Sequence, residues 1–301
     1  MKMRALNQKF ITDLKSGCHS GITNEVRNDD SLMICLRGDY VTVYYKSMRI
    51  LEISENGKYN IDRHYGAPDP NKVADWGEYF KNAKKAIDSY NTNEKLEKEI
   101  QQMIARENTC CSISNATDYF IFDIEYTQAD KSLADGRFDA LAVHWPRDKR
   151  RNDKDLQIAF IEIKVGEKAI LGSSGLIKHY NSASNFIERL KQDTEYKKSF
   201  LDDAAQVVAQ LRELGLWKIN DNKNTISFAD EFYPQMIFIL ADFNTHSEIL
   251  KEPLQSIQHN KELFDLRFAT SSFMGYALYD ECMLTLDETK EKLGYKNESM
   301  Y

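Results

Sequence analysis

Nowhere in these 301 residues is there an apolar run long enough to cross a bilayer, so a membrane-spanning helix is not expected. The opening residues, Met1 to Gln8, contain no apolar core of a secretory signal, and cytoplasmic residence is the expectation. Five cysteines, at positions 18, 35, 110, 111 and 282, form an odd set without CxxC spacing, which argues against a disulfide framework and a structural zinc site. The adjacent Cys110 and Cys111 read as small, partly buried thiols. No glycine-rich phosphate loop is present, so ATP-driven chemistry is not supported, and no repeat or low-complexity tract appears. Positive charge is also short: 40 Lys and Arg stand against 47 Asp and Glu, a net charge of −7. Such a chain repels a phosphate backbone at long range, so contact with nucleic acid has to come from a local concentration of cations.

What the chain does have is an unusual pair of strand-like segments, 138–145 and 156–166, joined by a charged loop. Both are rich in β-branched and aromatic residues. In the second, alternation puts Ile158, Phe160, Glu162 and Lys164 on one face and Ala159, Ile161, Ile163 and Val165 on the other. A strand apolar on both faces belongs in a sheet interior, yet this one carries a carboxylate and an ammonium two residues apart. Folding the segments about their loop brings Trp145 near Leu156 and Asp139 opposite Glu162. Burying two acids and a lysine at one sheet end is costly unless they bind something. A hard divalent cation fits: Mg²⁺, or Mn²⁺, takes oxygen ligands, often one or two carboxylates, and completes its shell with water and substrate phosphate. The lysine can then orient the attacking water and offset charge building on a phosphoryl group.

These residues resemble the PD-(D/E)XK nuclease superfamily, whose signature is an acid on one strand and Glu-x-Lys on the next; Asp139, Glu162 and Lys164 match it. The resemblance covers roughly residues 92–245. It implies a restriction-endonuclease-like αβββαβ core, metal held by Asp139, Glu162 and the backbone carbonyl of Ile163, and cleavage of nucleic acid, DNA ahead of RNA. Glu-x-Lys alone is weak, since Glu195–Lys197 and Glu288–Lys290 also match in polar, helix-like surroundings. The apolar strand and the opposed acid single out the copy at 162–164.

One strand upstream, 119–126 is apolar except for Asp123 and Glu125. Antiparallel pairing brings one of them toward the site, and Glu125 is the candidate ligand; the competing reading is an edge-strand charge pair meeting solvent or Arg137. Residues 92–107 read as a helix with Leu96, Ile100, Met103 and Ile104 on one stripe. Its Glu97 and Glu99 read first as solvated glutamates. Helices are expected over 180–190 and 204–216, and a buried strand over 235–242. Helix, three strands, helices, strand is the order the resemblance implies.

After the Glu-x-Lys strand, the small residues of 166–175 permit close backbone approach, and Ser174, Lys178 and His179 lead into a helix whose N-terminus can grip phosphate. An ordinary strand-to-helix connection capped by Ser173 or Ser174 is the competing reading. The basic loop at 146–154 joins the site strands at the far end of the hairpin and reads as a solvated turn.

The architecture expected is α/β with a mixed sheet, divided into 1–90, an N-terminal antiparallel β-meander with a helical linker, and 91–301, the nuclease-like domain with a C-terminal extension. Strand-like runs at 31–36, 40–45, 49–53 and 58–62 make the meander, after a helix carrying Phe10, Ile11 and Leu14. Tyr40, Tyr44, Lys46 and Arg49 form a possible stacking and phosphate surface, with packing as the alternative. From 246 on, a helix over 247–264, strands near 266–270 and 275–284, and a polar helix at 287–296 are expected. His144, on the face away from Asp139, reads as structural. A Mg²⁺- or Mn²⁺-dependent phosphodiesterase is the first functional expectation. A non-catalytic nucleic-acid-binding or protein-interaction module on the same fold is the rival, and a structural Glu162–Lys164 ion pair the third.

Overall fold

The computed structural model describes residues 3–90, 94–110, 112–128, 136–172, 175–217, 225–242, 248–271, 278, 280 and 283–295. The chain is α/β, with one antiparallel and one mixed sheet. Helices α1 (Gln8–Lys15) and α2 (Ser20–Asn28) precede strands β1 (Leu32–Leu36), β2 (Tyr40–Tyr45), β3 (Met48–Ser54) and β4 (Tyr59–Asn60), which pair in sequence order as an antiparallel meander. Short 3-10 turns lead to α3 (Trp76–Ser89). This helix packs on the meander instead of acting as a bare linker: it buries Tyr79, Phe80, Ala83 and Ile87, and the Tyr79 hydroxyl donates to the Ile50 carbonyl at 2.6 Å.

The larger sheet follows α4 (Glu94–Glu107). Its strands are β5 (Tyr119–Gln128), β6 (Gly136–His144), β7 (Gln157–Val165), β8 (Gln235–Ala241), β9 (Asp265–Ser271) and β10 (Leu284–Thr285). Strands β5, β6 and β7 are antiparallel neighbours, whereas β7, β8 and β9 run parallel. The parallel crossover from β7 to β8 carries α5 (Leu176–Gln192) and α6 (Thr194–Glu213); α7 (Lys251–Ser256) lies before β9 and α8 (Leu286–Lys292) after β10. No helix among the described residues is long and apolar enough to cross a membrane.

Alternation in β7 sets the two faces of this sheet. Ile158 and Phe160 join the apolar cluster containing Phe186 of α5 and Phe200 of α6, while Ala159, Ile161 and Ile163 join the one containing Ile100 and Ile104 of α4. Covering both faces explains why β7 and β8 read as continuous apolar runs. At the start of β6, Gly136 is required by close packing, since a Cβ there would lie 2.6 Å from the Phe186 ring.

The helix expected over 247–264 is short: α7 stops at Ser256, and Ile257 is extended. Beyond it the Asn260 side chain accepts from the Glu262 N–H at 3.0 Å, a local turn that competes with helix. The 275–284 strand lies mostly outside the described residues; Leu284 and Thr285 form β10. Helix α2, not expected, rests on the buried stripe Ile22, Thr23 and Val26.

Candidate functional site

The β6–β7 register has Ala140 opposite Ile161 and His144 opposite Gln157, so the next residues beyond the ladder are Asp139 and Glu162. There the Asp139 carboxylate turns back on the adjoining strand, where its Oδ2 accepts the Ile163 backbone N–H at 2.7 Å. Its own carbonyl accepts from Gln101 Nε2 of α4 at 2.8 Å. The acid is thus fixed from both sides. The parallel strands β7 and β8 end here, the position at which open α/β sheets present ligand sites.

Glu162 and Lys164 are 1% and 6% exposed, at the floor of a cleft of about 480 Å³ that Asp139 and His179 also line. Lys164 Nζ lies 3.5 Å and His179 Nδ1 2.7 Å from Glu162 Oε2. Neither approach is aligned as a hydrogen bond, and Oε2 is buried without a hydrogen-bond partner. Burial pushes the Glu162 carboxyl up to about 7 against the pull of Lys164. Asp139 is held well above the usual carboxylate range by burial first and by Glu162 second, outweighing the Ile163 N–H and Lys164. Burial and the Lys164 charge lower His179 to about 4, so its imidazole is neutral near pH 7. The site is short of stabilisation for the negative charge it carries.

Glu125 lies next to Asp139 across the β5–β6 ladder, where a register shift at Ile121/Asp123 has displaced the pairing by one residue. It adopts φ +53° and sits 3.4 Å from Lys98 of α4. A left-handed non-glycine residue costs of order 1–3 kcal/mol and is held by its surroundings. Glu125 lines a second cleft, of about 470 Å³, with Lys98, Gln101 and Ile163; the two clefts share Glu97, Arg137 and Asp139. Together they form a groove over the sheet end, from the α5 side to the α4 side. Asp123 is elsewhere: it is buried against the Arg37 guanidinium, which also donates to the Ile124 carbonyl at 2.6 Å.

Lys178 and His179, in the first turn of α5, both line the first cleft. Ser174 lies outside the described residues, and the N-cap of α5 is Gly175, which makes no side-chain cap. The stacking surface expected on the meander does not form. Tyr44 is buried beside Arg37, Lys46 is paired with Asp88 and Glu99 at 3.1 and 3.0 Å, and Arg49 with Glu52 at 2.9 Å. In the 146–154 loop, the Arg150 guanidinium carbon lies 4.0 Å from the centre of the Phe120 ring and its Nε donates to the Trp145 carbonyl at 2.8 Å, a packing role at the far end of the sheet. His144 stacks on Tyr119 and contacts Asp280 at 2.9 Å, also away from the cleft.

Sequence reasoning missed Gln101 and Lys168, and named Arg137 only as a partner for the acids of β5. Glu97 and Gln101 are four residues apart on one helix, and that spacing, which puts an acid and an amide on one face beside the apolar stripe, was the readable signal. Among the described residues, no three His, Cys, Asp or Glu side chains converge as a metal cluster. A site of two carboxylates and a carbonyl has fewer such side chains than that. No protein-family model matches the chain, and no curated protein or solved structure matches it either. The residues of the cleft therefore carry the functional reading by themselves.

Proposed function

We propose that this protein is a Mg²⁺-dependent nuclease, hydrolysing phosphodiester bonds of DNA or RNA on a restriction-endonuclease-like core made of α4, β5–β7, α5, α6 and β8. The observation that carries the reading is Glu162 Oε2, a buried carboxylate oxygen without a hydrogen-bond partner, beside a second acid at the end of the sheet. Burial outweighs the pull of Lys164 and raises Glu162 to about 7, so the lysine alone does not offset the cost of the buried carboxylate. A cation held by Asp139 and Glu162 would supply the missing stabilisation.

The donors fit Mg²⁺ or Mn²⁺: oxygens of Asp139 and Glu162 with the Ile163 carbonyl, Glu125 lying beside them without completing a three-acid cluster among the described residues. When bound, such an ion stabilises charge on a phosphoryl oxygen and makes water easier to deprotonate. In the hydrolysis, a water oxygen bonds to phosphorus and the ester P–O bond breaks. The departing oxygen takes up a proton, leaving a phosphate monoester and a hydroxyl. Lys164 orients the water and offsets the developing negative charge. Gln101 and the Ile163 N–H hold Asp139 in place, and neutral His179 lies against the Glu162 carboxylate.

The test is hydrolysis of labelled DNA and RNA by purified protein. Cleavage is expected only with added Mg²⁺ or Mn²⁺, and full activity after chelation overturns the mechanism. A second reading, a non-catalytic nucleic-acid-binding or protein-interaction module, is favoured by the absence of a three-sided metal cluster among the described residues. Metal-independent binding without cleavage is its signature.

A further inference from the structure

The groove over Asp139 also restricts what can enter it. Glu162 and Lys164 lie at its floor, nearly without exposure, while the rim carries the exposed cations Arg137, Lys168 and Lys178. None of these three is ion-paired among the described residues, in contrast to Lys46, Arg49 and Lys98. In a chain of net charge −7, the cleft lining carries four Lys and Arg against Glu97, Asp139 and Glu162, a slight local reversal of sign. The cleft volume, about 480 Å³, falls in the range of pockets that take one small ligand, about 300–1,000 Å³.

A duplex is stiff, with a persistence length of about 50 nm, and presents its phosphates on a broad cylinder. An unpaired strand bends at each nucleotide and can lower a single phosphate to a buried floor. The rim also offers an apolar surface on which an unpaired base can lie: Leu171, 46% exposed, is one of four large exposed hydrophobic residues among those described. Among the described residues no Phe, Tyr or Trp lines the cleft, and most of its polar groups are Lys, Arg, Asp and Glu ends, with Ser182 and neutral His179 beside them.

The geometry points to single-stranded nucleic acid as the substrate, threaded across Asp139 with Arg137, Lys168 and Lys178 on its phosphates and one unpaired base against Leu171. The inference rests on the nuclease reading for its chemistry but not for its binding. The strand is read without base-specific contacts, so cleavage follows strandedness and not sequence.

The experiment is fluorescence anisotropy at low salt with EDTA present, using one labelled 15-mer as single-stranded DNA, as single-stranded RNA and within a blunt duplex. The full chain should bind a single strand about tenfold or more tighter than the duplex, the DNA and RNA arms showing which sugar is preferred. Lys168→Glu with Lys178→Glu should weaken that binding at least about tenfold and flatten its salt dependence. Leu171→Asp should weaken it less, with the salt slope retained. Equal or tighter binding of duplex, or no binding of any probe, overturns the inference. A parallel incubation with Mg²⁺ or Mn²⁺ separates the two claims. Single strands bound but never cut would sink the nuclease reading and leave this one standing, whereas duplex bound and cut as well as single strand would do the reverse.

Discussion

Two buried charge clusters meet the large sheet, one at Asp123 of β5 and one at Glu162 of β7, and they are built to opposite rules. At Arg37, carried by the meander, the guanidinium donates to Asp123, to the Ile124 carbonyl at 2.6 Å and to the Leu36 carbonyl at 3.2 Å, with the Tyr44 hydroxyl at 3.4 Å. Arg37 is 3% exposed, and nearby Asp123 raises its affinity for the proton despite burial. At Glu162, by contrast, a carboxylate oxygen is buried without a hydrogen bond, and burial raises the acid to about 7. A closed cluster clamps the two sheets together; an open one retains capacity for a ligand. Paired charge in a protein interior therefore says little about function until its hydrogen bonds are counted.

Breaking the closed cluster should have the largest effect on stability. Arg37→Ala or Asp123→Ala leaves an uncompensated buried charge and is expected to cost about 3–5 kcal/mol in denaturant unfolding. A loss below about 1 kcal/mol in both would remove the distinction between the clusters. Breaking the open one should instead appear in turnover. Lys164→Ala is expected to lower the cleavage rate about 10²–10⁴-fold with Mn²⁺ affinity kept, whereas Glu162→Ala loses both. Equal loss of stability in these two variants, with no activity in the parent protein, would return the site to a structural ion pair.

The hairpin was legible in the sequence because period-two alternation and one loop fix its register, and Trp145 falls near Leu156 as that register requires. Asp139, Glu162 and Lys164 follow from it. The partner of Asp123 did not: Arg37 lies 86 residues away, and no local pattern couples a turn in the meander to β5. Glu125 was placed correctly only to within the register shift at Ile121/Asp123, since a bulge inserts a residue without a distinctive composition. The stacking surface on the meander failed for a related reason. Tyr44 packs beside Arg37 of the β1–β2 turn, Lys46 pairs with α3 and α4, and Arg49 pairs with Glu52 on its own strand, contacts that alternation does not reveal.

The open cluster also predicts an unusual pH response. Glutamate ordinarily ionises near 4.5, whereas Glu162 in the folded protein holds its proton to about 7. Between these values the folded state binds more protons than the unfolded chain, so metal-free stability should fall as pH rises, by at most about 1.4 kcal/mol per unit from this group. Asp139, raised by burial and by Glu162, adds in the same direction. Thermal melts from pH 5 to 8 should show this decline, flattened by Glu162→Gln and by saturating Mn²⁺. A melting temperature that climbs across this window, or a slope unaltered in the variant, would contradict the assignment. The smallest effect is expected at Gln101. Removing its hydrogen bond to the Asp139 carbonyl with Gln101→Ala should cost about 0.5–1.5 kcal/mol of stability and loosen the acid, so that the apparent Mn²⁺ dissociation constant rises several-fold. Unchanged Mn²⁺ affinity would show that the helix contact does not position the carboxylate.

The central claim is that Asp139 and Glu162 together hold a divalent cation. Isothermal titration of Mn²⁺ into the metal-free protein at pH 7.5, beside Asp139→Ala, addresses it most directly. Saturable binding at one or two sites, with proton release and with the site lost in the variant, is the predicted result. No saturable binding to the parent chain, or the same isotherm from Asp139→Ala, would contradict it.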